Sequence, residues 1–504
     1  MKFLRRIAVV TSLAALCAMP AIAWPTAAAS QNLPSLGDAD RQELSPLMER
    51  KLGEQIMRDI RNDPDYLDDA PVIEYLNKFG SKLVAAWPQA RGEADFDFFF
   101  FVVRDPTINA FALPGGFIGV HSTLILTAQS ESELASVLAH EIGHVAQRHV
   151  ARMLGKQRQD SLIPLASAVL AALTMRASSD ASAALLMGGQ GMALQRQLSF
   201  SRNAEREADR VGFQILNAAG YDASGMVSFF GRMQNATRSY SDAVPPFLLS
   251  HPLTTERIAD IQERIREQHV KPRPNSLDFE LIRARLRVLQ DLSPQGLLNA
   301  KNAFEEQLQR KEAAQIVAAR YGLAFVALRQ GALPKAQTLL EQAYATGQGT
   351  PEAEQSPVME SLALDIKLAA RQPAQALKEA EAAHEKFPLS RGIGRQYAEA
   401  LTAMGRYDDA VAYLREQVQM YRKEPQLQEE LAKVYAAQGK QALQHLALAE
   451  SYALDGSLPA ALDQLGIARR APDASFYDQA IIDARERELK ARWKDEVKEG
   501  QKDY

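Results

Sequence analysis

A chain of 504 residues is long enough for two or three domains with substantial cores, and a net charge of -4 gives no electrostatic pull toward nucleic acid, which is excluded as an expected partner. The only cysteine is Cys17, inside an N-terminal apolar run, so once that run is removed no disulfide can form. The fold must then rest on its apolar core and on any bound metal.

Lys2, Arg5 and Arg6, the apolar stretch Ile7 to Met19 and the small-x-small site Ala21-Ile22-Ala23 read as an export signal over residues 1–23, with the mature chain starting near Trp24. The apolar stretch falls short of the ~20 residues that span a bilayer, which argues against a retained anchor. Leu16, in place of a small residue before Cys17, argues against a lipoprotein. Export across a bacterial inner membrane, and hence a periplasmic location, is expected. Leu44 to Ile60 and Val72 to Ala86 carry helical periodicity with charges between the apolar positions, so each helix should keep one face in water. Phe96 to Val103 is aromatic and β-branched, as a strand buried on both faces would be. Asn109 to Val120 sets the turn Pro114-Gly115-Gly116 between two short extended pieces.

Residues 140 to 144 read His-Glu-Ile-Gly-His. On a helix the two histidines stand one turn apart on one face, so both imidazoles can reach one Zn²⁺, while Glu141 is placed to act as base toward an attacking water. With eight histidines in the chain, such a pair with an acid directly after its first member is expected roughly 0.02 times by chance. Ser130 and Glu133 form a capping box, and Leu134, Val137, Leu138, Ile142 and Val145 supply an apolar stripe, which puts the motif on a buried, rigid helix.

A hydrolytic zinc site needs a third protein ligand and one open position. A glycine and third histidine just downstream are ruled out, because the corresponding positions are Gln147 and Val150. The remaining solution is a Glu on a second helix. Glu205 and Asp209 are i, i+4 in a helical run that stops at Gly220, so Glu205 can bind zinc while Asp209 accepts the free N–H of a ligating histidine; Glu207 points away. Between the two helices, Leu162 to Met175 and Ala181 to Gln195 are uncharged, the second run carrying Gly188-Gly189-Gln190-Gly191. They suit either a buried helical hairpin or a mobile apolar flap over the site that touches lipid or unfolded substrate. His251, before Pro252, has three readings: a structural group, a transition-state donor, or a fourth zinc ligand that blocks the open position. Arg257 is a second candidate for stabilising the oxyanion, and His121, His149, His269, His384 and His445 have no comparable context.

The stretch 271–276 is a linker by composition, separating residues 24–270 from 277–504. Everything after it reads as helix. Gly405 to Gly439 spans 34 residues, the tetratricopeptide period, and Gly439 to Gly456 spans 17, half of it. A solenoid of helix pairs offers a concave face to protein partners or extended chains.

Taken as a set, His140 to His144, Glu205 to Asp209, the upstream Asn109-Ala110-Phe111-Ala112-Leu113-Pro114-Gly115-Gly116 and the downstream Ser250-His251-Pro252 resemble the zinc endopeptidase family that includes the CAAX prenyl proteases, and within it the soluble periplasmic branch. In the order signal peptide, peptidase domain, helical repeats, the likeness covers nearly the whole chain. The resemblance implies that the stretch carrying Asn109, Phe111, Pro114 and Gly115 is the edge strand along which an extended substrate lies; by itself the sequence is equally an ordinary hairpin. It also implies outer-membrane β-barrel assembly as the setting, with the assembly machinery reached through the repeat domain. The expectation is therefore an α+β zinc peptidase domain, mainly helical with a small sheet, followed by an all-α tetratricopeptide-like solenoid. One Zn²⁺ per chain would be held by His140, His144 and Glu205, with Glu141 as base and Asp209 in support, acting on misfolded or stalled envelope proteins. The rival expectation is a chaperone or assembly scaffold whose metal site is mostly silent.

Overall fold

A computed structural model describes residues 44–154, 201–239, 246–266, 273–310, 312–349 and 355–502. The expected export signal and the uncharged insert from 162 to 195 lie outside them. Helix α1, Pro46–Arg61, starts where Ser45 Oγ accepts the Met48 N–H at 3.3 Å, with proline in its first turn. Helix α2, Ala70–Ala86, is capped by Asp69 and buries Val72, Leu76, Phe79 and Leu83, one stripe at helical spacing. Its Gly80 is required by a close approach: a Cβ there would stand 2.2 Å from the Phe100 ring of the sheet beneath.

That sheet has three strands, β1 (Phe99–Val103), β2 (Ala110–Leu113) and β3 (Phe117–His121), in the order β1-β3-β2. β1 runs parallel to β3, and β2 runs antiparallel to it across the Pro114-Gly115-Gly116 turn, where both glycines take positive φ. The strand expected from Phe96 is shorter than its composition suggested, but all of it except Phe99 is buried. The outer edge of β1 is occupied. The Asn77 carboxamide bonds both the N–H and the carbonyl of Phe100, and the Leu67 N–H donates to the Val102 carbonyl. The outer edge of β2 faces helix α4, Glu131–Ala146.

Short helix α3, Ser122–Thr127, leads into α4; after it come α5 (His149–Leu154), α6 (Arg202–Ala219), α7 (Ser224–Ser239), α8 (Pro246–Ser250) and α9 (Thr255–Arg266). The second part begins with α10 (Leu277–Leu289), α11 (Pro294–Gln307), α12 (Ala313–Arg329) and α13 (Leu333–Gly347). Helix pairs then recur on a fixed period. Pairs α14–α15, α16–α17 and α18–α19 start at Pro357 and Pro373, Arg391 and Tyr407, Pro425 and Gln441, so successive starts differ by 34 (391 − 357, 425 − 391, and 407 − 373, 441 − 407). Gly405 and Gly439 sit at the tips of two pairs with φ of +75° and +72°, which explains why glycine marked the repeat in the sequence. Helices α20 (Leu458–Arg470) and α21 (Phe476–Lys502) follow.

The described residues form one compact unit, and one apolar core draws on residues from Val72 to Ile366. The joint at 271–276 is tied down where it is described, from 273 on. The Asn275 side-chain oxygen accepts the Glu131 N–H, and Ser276 donates its hydroxyl and its N–H to the Glu131 carboxylate. Arg285 on α10 donates to Asp69 at 2.7 Å and to the Tyr321 hydroxyl at 3.0 Å, binding the first helix of the second part to the cap of α2.

Candidate metal centre

Helix α4 forms one half of the expected capping box at Ser130, and the Glu133 side chain reaches back to the residue before the cap. Ser130 Oγ accepts the Glu133 N–H at 3.2 Å, and the Glu133 carboxylate accepts the Gln129 N–H at 2.7 Å and a bidentate Arg232 guanidinium. All sixteen of its residues are buried. Helix α6 begins at the Ser201 cap and ends at Gly220 in the left-handed conformation. The two helices cross through paired glycines: a Cβ at Gly143 would stand 2.8 Å from the Ala208 carbonyl, and one at Gly212 would stand 3.1 Å from the His140 nitrogen. The glycine inside the motif therefore sets how near Glu205 comes to the two histidines.

Four buried side chains converge: His140, His144, Glu205 and His251, whose donor atoms all lie within 4.8 Å of one another. Nε2 of His140 is 3.1 Å from Nε2 of His144, 3.3 Å from Nδ1 of His251 and 3.5 Å from Glu205 Oε2. Glu205 Oε1 is 3.5 Å from His144 Nε2 and 3.1 Å from His251 Nδ1. Ligands at about 2.0–2.1 Å from a tetrahedral ion stand about 3.3–3.4 Å apart. Separations of 3.1–3.5 Å bracket that spacing, so the four groups can serve together as ligands of one ion. The donor set fits a metal ion such as zinc.

The surroundings set the charges. Burial pushes Glu141 up, against the opposing pull of His251 and His140. Burial also works to raise Glu205, but His251 and His140 outweigh it and hold the group well below the usual carboxylate range. Burial works to lower His140; hydrogen bonds to Asp209 and Glu205 overcome it and raise the group to about 9, whereas burial leaves His144 well below the usual histidine range.

Asp209 lies where the spacing put it, with Oδ1 3.0 Å from His140 Nδ1, and Glu207 is turned away from the four donors. Arg257 differs from expectation. Its Nε and Nη2 grip Asp209 at 2.6 and 2.7 Å, and its Nη1 reaches Glu205 Oε2 at 2.7 Å and the Pro252 carbonyl at 2.9 Å. A guanidinium so engaged orients carboxylates and is not free to meet an oxyanion. His251 follows α8, donates its backbone N–H to the Phe247 carbonyl at 2.8 Å and lies against the Phe247 ring.

The edge strand also needs correction in detail. The His121 N–H donates to the Asn109 carbonyl at 2.9 Å, which makes that pair hydrogen-bonded; alternation then turns the backbone groups of Asn109 and Phe111 inward, to β3, and those of Ala110 and Ala112 outward. The Ala112 N–H points at the Glu141 carboxylate. Phe111 is packed in the core against Phe101, Pro114 is buried, and the Gly115 carbonyl accepts from Arg50. His149, set aside in the sequence, is buried with Nδ1 2.9 Å from His144 Nδ1. Five residues along a helix would place it about 140° from His144. The left-handed backbone at Arg148, φ +51°, breaks that periodicity and brings it back.

Residues 76–265 match the profile described as Peptidase family M48. The chain is 31% identical to the beta-barrel assembly-enhancing protease of Yersinia pestis over 90% of this chain and 90% of its relative. It is 29% identical to the protein of that name in Escherichia coli (strain K12), over 96% of this chain and 97% of the other. Mitochondrial metalloendopeptidase OMA1 of Schizosaccharomyces pombe is 33% identical over 40% of this chain and 55% of its own. With the motif helix, the second acidic helix and the donor cluster in place, the chain belongs to peptidase family M48 and is a metalloprotease.

Proposed function

We propose that this chain is a zinc-dependent endopeptidase of the bacterial periplasm that acts on misfolded or stalled envelope proteins during outer-membrane β-barrel assembly. The observation that carries the catalytic part is the convergence of the buried donors of His140, His144, Glu205 and His251 at separations that suit ligands of one ion. The setting rests on the relatives named beta-barrel assembly-enhancing protease and on the expected export signal. Among the described residues no helix is long and apolar enough to cross a membrane.

His140, His144 and Glu205 would hold one zinc ion, which when bound polarises the scissile carbonyl and acidifies the attacking water. Glu141 takes the proton of that water and passes it to the leaving amine, a task suited to a carboxylate whose pKa burial has raised. Asp209 fixes the ring of His140, and Arg257 holds Asp209 and Glu205 in register. An extended substrate chain would pair with the outward groups of Ala110 and Ala112 on β2. The helix pairs of 357–454 offer the surface for partners such as the assembly machinery.

His251 stands at the fourth donor position, where water and substrate must enter, and this favours a latent resting state. His251→Ala should raise basal cleavage of an unfolded substrate with zinc content nearly unchanged. A transition-state donor would instead lose roughly 10²-fold in turnover. A fall in activity at matched zinc occupancy removes the latent reading. The same closed position is the observation behind the second reading, a chaperone or scaffold with a mostly latent site; no cleavage by either form would favour it.

A further inference from the structure

The two motif histidines are supported unequally. The outer nitrogen of His140 meets the Asp209 carboxylate directly, whereas at 2.9 Å from His144 Nδ1 stands an imidazole nitrogen, Nδ1 of His149. The other nitrogen of His149 lies 3.0 Å from Glu207 Oε2, and Arg152 Nη2 holds the same oxygen at 3.0 Å. We propose that His149 and Glu207 form a two-residue chain that fixes the metal-binding nitrogen of His144, which makes both of them positioning residues for the centre. This rests on the reading that His144 binds the metal through Nε2.

Counting protons gives the direction of the chain. A carboxylate only accepts, so His149 Nε2 must carry the proton it gives to Glu207. Arg152 already balances the Glu207 charge, so the carboxylate does not call for a doubly protonated ring. Nδ1 of a neutral His149 is then an acceptor, and the proton between the two rings belongs to His144 Nδ1. His144 Nε2 is left as a lone pair directed at His140 Nε2 and Glu205, the form a metal requires. Reversing any proton would set two acceptors face to face at 3.0 Å, or put a proton among the four donors.

The backbone is built to hold this arrangement. Arg148 takes a left-handed conformation that an arginine rarely adopts, and its side chain is tied to Glu49 of α1 at 3.0 Å and to the Leu44 carbonyl just before that helix. That turn ends α4 after Ala146 and lays the buried His149 ring over the back of His144, with ring centres 4.9 Å apart. The imidazole thus extends the reach of Glu207, which lies on α6 with its side chain 39% exposed and otherwise too far out to touch a ligand.

The test is zinc affinity of the full mature chain, by competition with a chromophoric chelator, with the thermal midpoint of the metal-free form measured alongside. His149→Phe keeps the ring but has no acceptor, and should weaken zinc binding on the order of 10 to 100-fold, as for other partners behind a ligand. His149→Asn puts a carbonyl oxygen where Nδ1 was and should restore most of that loss. A packing role would give the opposite ranking, because Asn fills the space less well. Glu207→Ala should weaken zinc severalfold while leaving the metal-free midpoint near wild type. Wild-type affinity in His149→Phe, or no recovery in His149→Asn, overturns the chain alone. If His149→Phe does not fold, Glu207→Ala decides: unchanged affinity overturns the proposal. Absence of zinc binding by the wild type would overturn the metal centre and the chain together.

Discussion

Glu141 and Glu205 are buried within the same pair of helices, and their surroundings move them in opposite directions. Glu141 is raised by burial, as a proton-accepting group needs, while Glu205 is held ionised by two histidines and by Arg257, as a ligand needs. Glu205→Gln should release zinc or weaken it strongly. Asp209→Asn, which changes a partner of His140 Nδ1 and of Arg257 but no ligand, should weaken it about 10 to 100-fold. Metal content after dialysis against a graded chelator ranks the two, and a reversed order would contradict the assignment. These residues were legible in the sequence because helical spacing alone puts 140 with 144 and 205 with 209 on shared faces. His149 was not, because its approach depends on one left-handed residue that no periodicity reports. Nor was the engagement of Arg257, since its partners come from another helix.

At the scale of elements the site is a helix crossing with a strand beside it. Gly143 and Gly212 let α4 and α6 approach closely enough for Glu205 to meet both histidines. Gly143→Ala should therefore cost about 1–3 kcal/mol through overpacking, and should also loosen zinc by moving the third ligand outward. Chemical denaturation and zinc competition on the same sample check both effects; unchanged zinc affinity would mean that the crossing distance does not govern the centre. Caps and apolar stripes made both helices legible, from Ser130 to the stop at Gly220. The strands were legible from composition, but which backbone groups of β2 turn away from β3 was not. It follows from which pairs of the ladder are hydrogen-bonded, and that register fixes Ala110 and Ala112, not Asn109 and Phe111, as the outward residues.

For the whole molecule, composition divided the chain at 271–276, and the 34-residue repeat after it is present as expected. The shared core was not visible in the sequence, because it depends on α10 packing back onto the peptidase helices. Arg285, Asp69 and Tyr321 form a buried polar joint inside that core. Arg285→Met leaves Asp69 buried without its cation and should destabilise the chain by about 3–5 kcal/mol. Because one core serves both parts, the elements that share it from Val72 to Ile366 should melt together. Calorimetry that resolved a peptidase transition unaffected by Arg285→Met would contradict this coupling.

The central claim is that this metal site cuts peptide bonds with Glu141 as base. Zinc content and cleavage of an unfolded protein, measured on one sample each of the mature wild type and Glu141→Gln, test it together. The expected result is one zinc per chain in both, with the variant slower by roughly 10²-fold or more because the ligands remain and the base is lost. Equal cleavage by the two at equal zinc content would contradict it.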